Sequence, residues 1–186
     1  AFTSRDYTGY VQSLPSNKLE LIASLEADRM VNLVVDDKAL TTEREVVQNE
    51  RRFRKENNPD GTLYQRLYEL AYSKHPYHWP VIGYEKDLIE TTREDCESFY
   101  KRFYAPNNAT IVVVGDVSHT KVADVVEKYY SSLKRSNISR NNITAEPSQR
   151  KDLVETVPVR IPPGIEKLMV AYHVADVNHK DFHLLE

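Results

Sequence analysis

Six residues, Ala109-Thr110-Ile111-Val112-Val113-Val114, run between Pro106-Asn107-Asn108 and Gly115-Asp116 without the polar–apolar alternation of a half-exposed strand. Such a run fits a strand covered on both faces, as strands are inside a sheet flanked by helices. A chain holding it must supply helices to cover it and further strands to pair with it. The expected fold is therefore α/β, a mixed sheet with helices packed on it.

The helices are legible on either side of this run. Asn17 can cap a helix through about residue 34, along which Leu21, Ile22, Leu25, Arg29 and Leu33 wind. Thr42-Glu43-Arg44-Glu45 has the spacing of a capping box and should open a second helix to about Lys55, before Asn58-Pro59-Asp60-Gly61 forces a turn. Thr62 should start a third, carrying Leu63, Leu67 and Leu70. Thr92 should cap another, with Cys96, Phe99, Tyr100 and Phe103 as a buried stripe. The last should run from about His119 to Leu133 on Val122, Val125, Val126 and Tyr129. His75 to Tyr84, with Pro76, Pro80 and Gly83, reads as an ordered loop. Strand content is expected at 5–14, 151–160 and 167–174, the last two separated by Pro162-Pro163-Gly164. The polar stretch 134–150, without apolar periodicity, reads as a linker.

Composition excludes several classes of function. The net charge of −3, with no basic face, argues against nucleic acid as a partner. The single cysteine, Cys96, rules out an internal disulfide framework. The longest apolar runs are far too short to span a bilayer. The chain opens mid-pattern without an initiator Met and closes on an apolar pattern that has just begun, so both ends read as cuts through a longer polypeptide.

The helix expected over 42–55 carries the chemistry. Glu43 and Glu50 are seven residues apart, so they project from one side, with Val46 and Val47 between them in projection. Two carboxylates then flank the stripe that should pack inward. Burying an ionised carboxylate is costly unless it meets a cation, a metal or several donors. Two readings follow from the residues: partial exposure with pairing to Arg44, Arg51, Arg52 or Arg54, or an acidic functional site.

The stretch Thr42-Glu43-Arg44-Glu45-Val46-Val47-Gln48-Asn49-Glu50-Arg51-Arg52 resembles the helix that donates the third zinc ligand in the insulinase/pitrilysin metallopeptidases, the M16 family. The surrounding chain agrees in order. Phe2 to Thr8 is similar to a family strand, Leu25 to Met30 to its next helix, and His75-Pro76-Tyr77 with Pro80 and Gly83 to a loop further on. Phe99 to Thr110 and Val114-Gly115-Asp116 are similar to its helix-to-strand crossing.

By that resemblance Glu50 would be the carboxylate ligand of a zinc ion, and Glu43 a further acidic residue of the catalytic site. The family's inverted His-x-x-Glu-His motif, which supplies two ligands and the general base, is absent here and would precede Ala1. The whole protein would be a zinc metalloendopeptidase. In it zinc would lower the pKa of its bound water and polarise the scissile carbonyl, while the motif's glutamate takes the proton. With one ligand of three, this stretch alone would be inactive.

The resemblance further implies a peptide or unfolded protein substrate, a second M16-type half or subunit as partner, and, by analogy, a periplasmic rather than a cytoplasmic setting. Residues 1–133 would be the remainder of the first peptidase unit, 134–150 a linker, and 151–186 the start of the following sheet layer. The rival reading is a non-catalytic family member, a structural or substrate-holding subunit beside an active partner. The presence of both Glu43 and Glu50 favours the active branch.

The remaining candidates have plainer readings. His75 and His78 have no cysteine or carboxylate beside them and read as loop residues. His179 and His183 stand at i, i+4 on a helix just starting, but no glutamate follows the first, so a solvated face is expected. Cys96 reads as a small buried hydrophobe. Asn108, Asn137 and Asn142 open formal glycosylation sequons, relevant only in a eukaryotic secretory setting.

Overall fold

In the computed structural model the described residues are 1–138, 143–159 and 164–184. They form two units. One comprises Ala1–Glu45 with Ile89–Asn141, the other Val46–Leu88 with Asn142–Glu186.

The first unit opens with a short antiparallel hairpin, β1 (Phe2–Thr3) and β2 (Thr8–Gly9), with Phe2 opposite Gly9 and Thr3 opposite Thr8. The Phe2 ring lies over Gly9, 2.4 Å from where a Cβ would stand, so a side chain there would have to displace this half-exposed ring. Helix α1 (Leu19–Asn32) follows a single 3-10 turn at Ser16–Lys18. It buries Ala23 and Ala27, one turn apart, while Leu21 and Leu25 are exposed. Small residues let α6 (His119–Tyr130) approach closely, and α6 buries Val125 in return. Glu20 of α1 adds an ion pair with Lys128 and accepts from the Tyr129 hydroxyl at 3.0 Å. Helix α5 (Arg93–Phe103) starts where Thr92 predicts, with a complete capping box: Thr92 Oγ1 accepts from the Asp95 amide at 3.2 Å, and Asp95 accepts from the Thr92 amide at 2.9 Å.

Helix α2 (Asp37–Arg51) begins five residues before the capping box that should have opened it. Asp36 takes that role, its carboxylate accepting from the Ala39 amide at 2.7 Å. Thr42 is instead mid-helix, its hydroxyl donating back to the Lys38 carbonyl at 3.0 Å. In the second unit α2 passes into a π-turn over Arg52–Glu56, where the Asn57 amide donates to the Arg52 carbonyl, five residues back, at 2.8 Å. Asn58 caps α3 (Pro59–Ala71) by accepting from the Asp60 amide at 3.0 Å, so α3 starts three residues ahead of Thr62. The 75–84 segment is an ordered loop with a 3-10 turn at Pro76–His78, leading to the short α4 (Glu85–Glu90).

The expected mixed sheet is not formed among the described residues, which are mostly helical with β1–β2 as their sheet. A strand exists by its ladder, and none of the described segments pairs with 109–114. The run is extended at Ala109 but stands open, Val114 91% exposed, along a groove of about 510 Å³ also lined by Tyr10, Leu14, Ile22 and Val126. The described parts of 151–160 and 167–174 likewise make no ladder; residues 160–163, including Pro162 and Pro163, lie outside the described residues. The helix expected to begin near His179 is a turn followed by a 3-10 turn at Phe182–Leu184.

Candidate functional site

Helix α2 carries both acidic candidates, and its seven-residue spacing brings Glu43 and Glu50 two turns apart on one side. The stripe between them does not pack inward. Val46 is 53% exposed, Phe53 of the π-turn is exposed, and α2 buries no residue. Glu43 is exposed. The Glu50 side chain is 40% exposed and forms an ion pair with Arg54 at 3.0 Å. A pair this open contributes about 0–1 kcal/mol, so Arg54 leaves the Glu50 carboxylate available to a stronger ligand.

The arginines that follow the two carboxylates are held elsewhere. Arg44 Nη2 donates to the Thr91 carbonyl at 2.6 Å. Arg51, only 11% exposed, donates through Nη1 to the Gly83 carbonyl at 2.9 Å and through Nε lies 3.8 Å from Glu56. Arg52 donates to Asn49 at 2.8 Å. Of the four arginines that could neutralise Glu50, Arg54 does so.

His75 and His78 are engaged within their loop. The Tyr77 amide donates to His75 Nδ1 at 3.1 Å, and His78 Nδ1 donates to the Tyr72 carbonyl at 2.6 Å. His179 Nδ1 accepts from the Asp181 amide at 3.2 Å. Cys96 is partly exposed on α5 rather than buried. Asn108 donates its side-chain amide to the Phe103 carbonyl at 3.0 Å, and Asn142 lies outside the described residues.

Among the described residues no three His, Cys, Asp or Glu side chains gather as a metal-binding group. Tight zinc sites take three or four protein ligands, and one half-exposed carboxylate does not make one. The described residues by themselves do not gather the ligand set of a zinc ion.

Sequence reasoning missed one carboxylate. Glu146, in the stretch taken for a linker, collects four donors from Ser73, Lys74 and His75. Glu146 is the only acidic residue between positions 134 and 150, which by itself does not point to a partner. Partial desolvation pushes its carboxyl up. The Ser73 hydroxyl and the amides of His75, Ser73 and Lys74 together outweigh that and bring it to about 2.

In fold, the chain is similar to part of several solved proteases. It superimposes on the crystal structure of a protease from Helicobacter pylori with a TM-score of 0.64 and 36% identity, over 72% of this chain and 32% of that one. The first half of the periplasmic protease PqqL from Escherichia coli gives a TM-score of 0.64 at 18% identity, over 73% of this chain and 29% of that one, which is a likeness of fold alone. In sequence, the zinc protease PqqE of Helicobacter pylori is 36% identical over 186 residues, 97% of this chain and 41% of that protein. Residues 90–186 match the domain described as the peptidase M16 inactive domain. The chain belongs to the M16 peptidase family, as the order of its motifs implied. It spans 29 to 42% of the length of the curated relatives it matches.

Proposed function

We propose that this chain is part of a zinc-dependent M16 metalloendopeptidase that hydrolyses peptides or unfolded protein segments held between two related halves. The observation that carries this reading is the 36% identity to a zinc protease, collinear over 97% of the chain. In the proposal Glu50 is the carboxylate ligand of the metal and Glu43 an acidic residue of the same catalytic site. The remaining ligands come from outside these residues. Openness of the Glu50–Arg54 pair supports the assignment, because a ligand tightly held by a cation could not be recruited.

In the same reading residues 1–133 complete the first peptidase unit, 134–150 link, and 151–186 begin the next sheet layer. The mixed sheet would then form when 109–114 meets its pairing strands, a reading supported by the exposure of Val112 and Val114. A periplasmic setting belongs to the same reading, by analogy with the family.

The test is zinc content and peptidase activity of the whole protein beside a Glu50→Gln variant. Partners that merely orient metal ligands cost about 10–100-fold when removed, so loss of a ligand itself should cost about a hundredfold or more in activity, with loss of bound zinc. The match of residues 90–186 to a domain described as inactive keeps a second reading open, a non-catalytic structural or substrate-holding subunit. Absence of zinc from the whole protein, or zinc unchanged in Glu50→Gln, would establish that reading instead.

A further inference from the structure

Residues 143–150 have no regular secondary structure and are otherwise exposed, yet one side chain among them is anchored more completely than any carboxylate on α2. Glu146 Oε1 accepts from the Ser73 amide and the Ser73 hydroxyl, both at 2.7 Å. Its Oε2 accepts from the Lys74 amide at 2.7 Å and the His75 amide at 2.8 Å. Three successive amides converging on one anion form a backbone nest. Hydrogen bonds to an ionised acceptor are roughly twice as strong as neutral ones. The donors are a hydroxyl and three amides, with no cation among them. Geometry therefore selects for a carboxylate's two oxygens. Pro76 follows directly and has no amide to offer, which ends the run of donors at His75.

The nest stands at the mouth of the 75–83 loop, whose far end is held by Arg51 through the Gly83 carbonyl. Elsewhere the second unit's C-terminal stretch is tied by polar contacts: Arg66 to Glu155 at 2.6 Å, Lys167 to Asp60 at 2.6 Å, and His173 Nε2 to the Ala71 carbonyl at 2.8 Å. Its large apolar side chains, Val154, Leu168 and Tyr172, are largely exposed. The stretch is docked by anchors, of which Glu146 has the most donors.

We propose that Ser73–His75 is a carboxylate-binding nest whose resident ligand is Glu146, and that this latch fastens the 143–150 strap to the start of the 75–83 loop. The proposal stands apart from the metal assignment and holds whether or not the whole protein is a peptidase. A site of this kind should accept a small carboxylate once its own ligand is removed, and that property separates a ligand-binding nest from a mere packing contact.

The experiment uses the whole protein, its Glu146→Ala variant and formate as the probe. In Glu146→Ala the amides of Ser73, Lys74 and His75 should exchange with solvent about tenfold faster or more, and trypsin should cut after Arg150 and Lys151 faster by a similar factor, given the strength of charged hydrogen bonds. Sodium formate should restore amide protection in the variant, while sodium chloride at equal ionic strength should not. Glu146→Gln keeps the size of the side chain and loses its charge and one acceptor oxygen; it should fold, lose part of the protection, and gain little from formate because its side chain still occupies the nest. Unchanged exchange at residues 73–75 in both variants overturns the proposal. So does equal recovery with formate and chloride, which would make the contact one of general packing.

Discussion

Tyr104 shows how a single side chain in this structure is set by its neighbours. Its hydroxyl and that of Tyr10 stand 2.6 Å apart, and the Arg29 guanidinium lies 3.6 Å from the centre of the Tyr10 ring. Burial, with the Tyr10 hydrogen bond, pushes the Tyr104 phenol up to about 12. A tyrosine that ionises later in the fold than in the open chain stabilises the fold fully below about pH 10, and that contribution is lost as the pH rises through 12. A spectrophotometric titration of the twelve tyrosines should therefore end in a late step near 12. Tyr104→Phe should abolish that step, and its persistence in the variant would remove the assignment. Glu146 has the opposite sign: its carboxyl sits at about 2, below an ordinary value of 4.5, so its contribution is complete above pH 4.5 and drains away as the pH falls towards 2.

At the scale of elements, what was legible were the beginnings with their own local donors and acceptors. Thr92 and Asp95 satisfy one another's amides within four residues, so α5 starts where its residues say it should. Replacing Thr92 by Ala should destabilise the protein by about 0.5–2 kcal/mol, read from urea unfolding. Because the two bonds are reciprocal, Thr92→Ala with Asp95→Ala should cost less than the sum of the single changes; strict additivity would show that the box does not act as a unit. Thr42 offered the same spacing and lost, since Asp36 had already capped the helix and no breaker separates the two. Strands were the least legible. An unalternating apolar run reports a demand for cover and pairing, not the identity of the partner, and the 109–114 run has no partner among the described residues. Helical arithmetic put the two acidic candidates on one side of α2, and the family resemblance gave them their expected roles. Glu146 could not be placed in this way, because its donors lie some seventy residues away and backbone complementarity over that distance has no sequence period.

For the molecule as a whole, the apolar surface left open is the dominant physical fact. The buried apolar side chains among the described residues are Ala23, Ala27, Pro80, Ala105 and Val125, while Val112, Val114, Val154 and Leu168 stand mostly in solvent. Contiguous exposed apolar surface and unpaired extended backbone both promote association. The 186-residue chain should accordingly show concentration-dependent association in sedimentation velocity, and Val114→Lys should reduce it. A monodisperse monomer at all concentrations would mean that the 109–114 groove is not the adhesive surface.

The π-turn after α2 has a consequence in the currency of chain length. A π-turn holds one residue more than the α-turn it replaces, and here the widened turn leaves the Arg54 carbonyl oxygen 1.9 Å from where a Cβ of residue 61 would stand. The π-turn and the glycine are thus structurally coupled: with the turn as it stands, position 61 has no room for a side chain. Shortening the turn by one residue should therefore relax the need for glycine at 61, whereas Gly61→Ala with the turn intact should force the backbone apart.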